Sequence, residues 1–320
     1  MAETNITGPL WGYEQRSRRL AGLWPTSVYV EFISTQRAIF GYGYTSSNQS
    51  ITNLVSNTGV VANDTAGVGT ARSPLAAAGY GGDKAIFGYG YGSNSTSITN
   101  KVSNTGVVAT DTTGVGTARY RLAAAGYGTD KAIFGYGYTS STYASMTNLV
   151  SNTGVVATDT AGVGTARDSL AAAGYGTDKA IFGYGFGNPP LSMTNLVSNT
   201  GVVATDTAGV GTARYGLAAA GYGTDKAIFG YGYASSGYVS LTNKVSNTGV
   251  VATDTTGVGT AKYSLAAAGY GGDKAIFGYG QNAAGTNVSL TNLVSSTGVV
   301  ATDTTGVGTA RLGLAAASYG

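Results

Sequence analysis

The chain has 320 residues, among them 52 glycines and 23 tyrosines, and it has neither cysteine nor histidine. Without cysteine there is no disulfide framework, and without His or Cys the softer metal ligands and the commonest general base are missing. Charged residues make up 10 % of the chain and the formal net charge is +3, so nothing in the composition suggests a polyanion-binding surface, and nucleic acid is not expected as a partner.

The amino-terminal stretch MAETNITGPLWGYEQRSRRL has no apolar run of signal-peptide type, and no segment is apolar for long enough to span a bilayer. Export by a cleaved signal and membrane insertion are therefore not expected. Residues 1–37 hold both tryptophans and all three glutamates. GYEQRSRRLAGLW suits a short amphipathic helix with Arg16, Arg18 and Arg19 on its polar side and Pro25 after its end. SVYVEFIS, residues 27–34, alternates as an edge strand does. Trp11, Tyr13, Trp24, Tyr29 and Phe32 are apolar surface that favours burial against another chain or against the repeat array itself, and residues 1–37 read as an anchoring or oligomerisation segment. Its basic cluster is too small to argue for nucleic acid.

From residue 38 the chain repeats. AIFGYG begins at Ala38, Ala85, Ala132, Ala180, Ala227 and Ala275, at spacings of 47 or 48 residues, a period typical of solenoids, propellers and arrays. Each unit holds four short pieces: LAAAGYG, KAIFGYGY, SMTNLVSN, and GVVATDT followed by AGVGTAR. Gly, Asn, Asp, Ser and Thr separate them as turn formers, and Val, Ile, Phe, Tyr and Thr within them suit strands. Glycine interrupts every window in which a helical period might build. The fold class is all-β, and four strands in about 47 residues make one propeller blade.

The first AIFGYGY has no LAAAGYG before it, and the last LAAASYG has no second piece after it. Together the two halves complete one unit. Residues 314–319 are expected to pair with residues 37–44, closing a six-bladed β-propeller over residues 38–320 and removing two open sheet edges. LAAAGYG is small and apolar throughout, which suits the innermost strand, with Ala172 and its counterparts Ala77, Ala124, Ala219, Ala267 and Ala316 buried near the axis.

Two places differ between repeats. One is the loop after the aromatic strand, for example TSSTYAS after Tyr138, GNPPLS after Phe186 and ASSGYVS after Tyr233. The other is the pair after Ala-Arg or Ala-Lys, such as Tyr120-Arg121 and Asp168-Ser169. In an up-and-down blade both lie on one face, while the constant turns GYGTDK and SNTG lie on the other. The recognition-face candidates are Tyr120, Arg121, Tyr143, Asn188, Tyr215, Tyr238 and Tyr263, in a Tyr-, Ser-, Asn- and Gly-rich setting suited to adaptable binding. Loop tips that pack against nothing vary in the same way, and on the sequence alone both readings stand.

GYGTDK and GVGTAR contain fragments of phosphate-binding loops, but such a loop needs a following helix, and a strand follows GYGTDK. Asp83, Asp130, Asp178, Asp225 and Asp273 read as turn stabilisers. The lysine after each covers a strand edge or pairs with the neighbouring blade. Asp64, Asp111, Asp159, Asp206, Asp254 and Asp303 recur without the further oxygen ligands of a calcium loop, so they read as hydrogen-bond acceptors for a turn. Arg72, Arg119, Arg167, Arg214 and Arg311 read as braces between blades, directed at those aspartates. Lys262 holds the sixth place as the weakest brace, because Lys cannot reproduce a bidentate contact. No repeat has its own acid, base and nucleophile, so no catalytic residue, metal or cofactor is expected and the protein reads as non-enzymatic.

The order of Arg, small apolar strand, aromatic strand ending in glycines, polar loop and TNLVSNTGVVATDT resembles a kelch-type repeat in architecture, with FGYG (residues 134–137) where kelch repeats carry Gly-Gly. The near-identical units over residues 38–320 also resemble repeat proteins of tailed bacteriophages. That resemblance implies a virion protein, made in the host cytoplasm and displayed on tail or capsid as fibre, decoration or host-recognition module. Its partners would be other virion proteins through residues 1–37 and host-surface glycans or proteins, with room for a homo-oligomer. The alternative is a free multivalent carbohydrate-binding lectin, with one site per blade adding up by avidity.

Overall fold

The computed structural model describes residues 35–320. Trp11, Tyr13, Trp24, Tyr29 and Phe32, and the helix and strand expected around them, lie outside the described residues.

Among the described residues the chain is all-β. Three strands recur in each unit, as in Ala76–Tyr80, Lys84–Gly88 and Thr99–Val102. The middle strand pairs antiparallel with both others, Ala85 standing opposite Gly79 on one side and Val102 on the other. The β-branched and aromatic KAIFG sequence takes this central place, where Ala85, Ile86 and Phe87 are fully buried. One sheet joins distant parts of the chain: Arg37–Tyr44 pairs with Asn48–Val55 and with Ala315–Tyr319, Ala38 opposite Ser318 and Phe40 opposite Ala316.

Sheets pack face to face in sequence order. Ala76, Ala78, Tyr80, Ile86 and Tyr89 of one sheet meet Leu122, Ala132, Phe134 and Val150 of the next. In the same way Ala266, Ala268, Tyr270, Ile276 and Tyr279 meet Ala38, Phe40, Val55 and Leu314. The FGYG motif makes this packing close. A Cβ on Gly88 would lie 2.6 Å from the Phe134 ring, so only glycine lets that ring in. The tyrosine that follows, Tyr89, has φ 61°, a conformation most side chains avoid. It is held there by a 5.1 Å ring contact to Phe134 and by its hydroxyl, which donates to Val115 O at 3.0 Å.

Two sequence expectations need correction. The fourth piece does not form a continuous strand but touches the third at isolated bridges, Val55 to Val61 and Thr52 to Thr65. Between them the buried Asn53 turns its side chain toward the fourth piece, and Nδ2 donates to Ala62 O at 3.0 Å and Asp64 Oδ1 at 2.8 Å. Side-chain bonds thus replace part of the ladder. Ala172 and its counterparts are also less buried than expected, apart from Ala219 at 9 % exposure. Ala171 and Ala173, on the other side of the same strand, are the buried members of one packed cluster, while Ala172 packs partly buried against the next.

Two series of hydrogen bonds link neighbouring sheets. At the GYGTDK turns, Gly81, Gly128, Gly176 and Gly223 N–H donate to the carbonyls of Asp130, Asp178, Asp225 and Asp273, Gly271 N–H to Gln36 O, and Gly320 N–H to Asp83 O. At the other end, Ser169, Gly216, Ser264 and Gly313 N–H donate to the carbonyls of Arg121, Ser169, Gly216 and Ser264, each at 2.8 Å, and Arg121 N–H reaches Pro74 O at 3.5 Å. Pro74 has no N–H to continue this series. The hydroxyl of Ser73 takes its place, donating to Gly313 O at 3.0 Å. Ser73→Ala is therefore expected to cost roughly 1–3 kcal/mol by leaving a buried acceptor unpaired. An unchanged urea midpoint would refute that role.

Candidate recognition face

The variable pair in each repeat is fixed by the residue before it. Arg72, Arg119, Arg167, Arg214 and Arg311 are fully buried. Arg214 is representative: Nε donates to Tyr231 O at 2.8 Å, Nη1 to Thr212 O at 3.0 Å and Nη2 to Asn243 Oδ1 at 2.6 Å, while the guanidinium lies 4.3 Å from the Tyr184 ring of the preceding sheet. The aspartate expected as its partner is a looser one, Asp254 Oδ1 at 3.8 Å. Asp254 instead accepts from the Thr212 N–H and hydroxyl and from Asn243. Burial opposes its ionisation, but these hydrogen bonds and the Arg214 charge prevail and hold its carboxyl below the usual range. The aspartates do serve as acceptors for a turn, one that reaches over from the preceding repeat. The lysines of the GYGTDK and GYGGDK turns each pair with the aspartate just before them, at 2.6–2.9 Å.

Lys262 makes fewer bonds than the arginines. Its Nζ donates to Asn292 Oδ1 at 2.7 Å and Leu290 O at 3.4 Å. Burial pushes its pKa down to about 8, against the opposing pull of Asp303. Between pH 8 and 10 Lys262 itself is more protonated in the unfolded chain than in the folded one, so its own contribution to stability rises with pH in that window. Buried tyrosines such as Tyr89, Tyr136, Tyr184 and Tyr279, whose pKa values burial pushes up to about 12, pull the other way as the unfolded phenols begin to ionise near pH 10. Lys262→Arg is expected to raise the denaturant midpoint at pH 7, and its advantage over wild type to narrow as pH rises from 8 to 10. An advantage that stays constant over that range would show that Lys262 does not titrate there.

Above these braces the two variable places lie side by side. Tyr215 and Tyr263 pair with Tyr233 and Gln281, Tyr120 and Asp168 bridge to Tyr138 and Phe186, Leu312 bridges to Tyr44, and Ser73 N–H donates to Tyr91 O. The expectation that both sit on one face therefore agrees with the pairing. Their aromatic rings form a continuous row. Tyr91 meets Tyr120, which meets Tyr138, Tyr143 and then Phe186 in turn. Phe186 meets Tyr215, which meets Tyr233 and Tyr263, and Tyr238 touches both of these. Successive centroids are 5.1–6.2 Å apart, mostly edge to face. Most of the rings are half-buried. Tyr238 donates from its hydroxyl to Gln281 Oε1 at 3.0 Å at the end of the row.

Of the sequence candidates, Tyr120, Tyr143, Tyr215, Tyr238 and Tyr263 belong to this row. Asn188 does not: it is exposed at a loop tip with φ 56°. Tyr91, Tyr138, Phe186 and Tyr233 were missed because they end the aromatic strand, in what reads as the constant part of the unit. The signal was the replacement of that aromatic by Gln281 in one repeat.

The variable places contain two charges, Arg121 and Asp168. They pair at 3.5 Å, with side-chain exposures of 46 % and 4 %. Burial lifts the Asp168 carboxyl above its ordinary range, and Arg121 pulls it back only in part. The Arg121 guanidinium also lies 5.5 Å from the Tyr120 ring. It lines a cavity of about 80 Å³ together with Pro74, Ser169, Gly216, Ser264 and Gly313. A larger cavity, about 290 Å³, opens among the GYGTDK turns, where Lys84, Lys131, Lys179 and Lys226 are each held by an aspartate. Among the described residues no cluster of three or more acidic side chains is placed to hold a metal ion. No protein-family model matches the chain, and no curated protein matches it.

Proposed function

We propose that the described sheets are the blades of a six-bladed β-propeller, closed where Ala315–Tyr319 pairs with Arg37–Tyr44. We propose further that the protein is a non-enzymatic component of a tailed-phage virion, mounted through residues 1–37 and displaying its variable face for host-surface recognition. One observation carries the reading: the buried arginine, asparagine, tyrosine and glycine contacts recur from repeat to repeat, whereas the differences between repeats gather on one face and touch one another there. A framework this uniform does not require a varied face for its own stability. A free lectin with equal sites in each blade fits less well, since the aromatic row is unequal from blade to blade and is broken at Gln281 and Leu312.

Two variants test the proposal. Removal of residues 1–36 is expected to leave a protein that melts cooperatively but no longer co-purifies with assembled particles. Exchange of residues 187–191 and 234–239 for the corresponding loop of the first repeat is expected to reduce adsorption to host cells while particle association is retained. Adsorption unchanged by the loop exchange, or attachment unchanged by the truncation, would overturn it.

A further inference from the structure

We infer that the aromatic row and Arg121 form one composite binding site for an acidic polysaccharide, a chain of sugar rings bearing carboxylates. The inference rests on the display reading above and names the ligand class of that face. Sugar rings present flat C–H faces and a fringe of hydroxyls. The site offers the complement, a run of aromatic faces and edges spaced at roughly the length of one ring and fringed by exposed Ser140, Ser141, Ser235 and Ser236. The exposed large aliphatic side chains among the described residues are Val60, Val107, Val155, Val202, Val250 and Val299. All of these lie in the fourth piece of the repeat, none in the variable places. A protein partner would normally bury strongly exposed aliphatic groups along with aromatic ones; at the variable places Leu191, Val239, Val288 and Leu312 are only half-buried, and the exposed large hydrophobic side chains beside them are Tyr44 and Tyr91.

Charge selects within the glycans. Asp168 is buried and engages Arg121 at Nη1, while nearly half of the Arg121 side chain faces solvent. The variable places therefore present one accessible cation, Arg121, and no accessible anion of their own, the aspartates nearest to them being held by the threonine two residues before each brace. A guanidinium fork recognises a carboxylate in its own plane. Arg121 lines the central cavity beside Gly216 and Ser264, the residues that follow Tyr215 and Tyr263 in the row. A carboxylate bound at Arg121 thus leaves the adjoining sugars on Tyr120, Tyr215 and Tyr263.

The test is affinity electrophoresis and calorimetry of the full chain with alginate, polygalacturonate and hyaluronate, and with neutral dextran and amylose. Binding to at least one acidic polymer is expected, weakening as salt rises, with little retention by the neutral ones. Arg121→Gln, Tyr215→Ala and Tyr263→Ala are each expected to weaken binding by about tenfold or more. Because Arg121→Gln leaves the buried Asp168 without its cation, a cooperative melt must confirm that this variant is folded, and Arg121→Lys, which keeps the charge, is expected to retain part of the binding. No binding to any acidic polymer, equal binding to neutral ones, or full binding by Arg121→Gln would overturn the inference. Host-cell adsorption separates the two proposals. Loss after protease treatment of the cells but not after periodate oxidation would identify a protein receptor, leaving display intact and the polysaccharide wrong. Absence of any adsorption by the wild-type chain would instead count against display itself.

Discussion

Deletion of residues 312–320 is expected to unfold the repeat array rather than merely shorten it. The deletion removes the strand that pairs with Arg37–Gly41 at five positions. It also takes Leu314 from one interface between sheets and Ala315, Ala317 and Tyr319 from another. Burial of a large apolar side chain contributes roughly 1.5–3 kcal/mol. The combined loss, with the strand's hydrogen bonds, reaches the scale of a whole domain's stability, about 5–15 kcal/mol. The remaining chain would present an open edge at Arg37–Gly41 and an uncovered apolar face on its last sheet, and both favour aggregation. A thermal melt followed by circular dichroism should lose its cooperative transition or end in precipitation. If the truncated chain melts as the full-length one does, the pairing contributes nothing and the six-bladed reading falls with it.

Arg214→Ala is expected to cost roughly 3–5 kcal/mol, the usual range for removing one partner from a buried charged network. Asn243 Oδ1 and the carbonyls of Tyr231 and Thr212 would each lose a donor, and the Tyr184 ring would lose the cation resting on it. Asp254 would keep its bonds from Thr212 and Asn243. Arg214→Lys should fall between the two, because Lys262 already occupies the equivalent place with fewer bonds. Urea midpoints for the three proteins decide the matter. A midpoint for Arg214→Ala within error of wild type would mean that the guanidinium is not a brace.

Much of this arrangement was legible in the sequence because it repeats. AAAGY, KAIFG and TNLV are short apolar runs bounded by turn formers, and each became a strand. The two half-units likewise proved to pair, Ala38 with Ser318. The fourth piece was misread because GVVATDT has the composition of a strand, whereas its conformation is set by Asn53 and Asp64, whose side-chain bonds have no periodicity to betray them. The positive φ of the FGYG tyrosine was equally hidden, since only the packing of Phe134 against Gly88 requires it. The candidate face was half legible. Comparison between repeats finds residues that differ, such as Tyr215 and Tyr263. It passes over Tyr91 and Phe186, whose contribution comes from contacts made across the repeat boundary.

The pairing of Ala38 with Ser318 also sets an order of assembly. During synthesis the strand Arg37–Tyr44 leaves the ribosome before any other described strand, and Ala315–Tyr319 after all of them. Its partner edge must therefore wait, unpaired, while near-copies of the missing strand emerge one after another. Each of those copies has a nearer place to go, a tight hairpin with the KAIFG segment that directly follows it, as Ala76–Tyr80 has with Lys84–Gly88. The last copy has no following segment to claim it among the described residues. It alone carries serine where the others have glycine, and that hydroxyl donates to Gly269 O at 2.8 Å on the preceding sheet. Local hairpins thus act as a timetable that keeps five similar strands from occupying the position of the sixth.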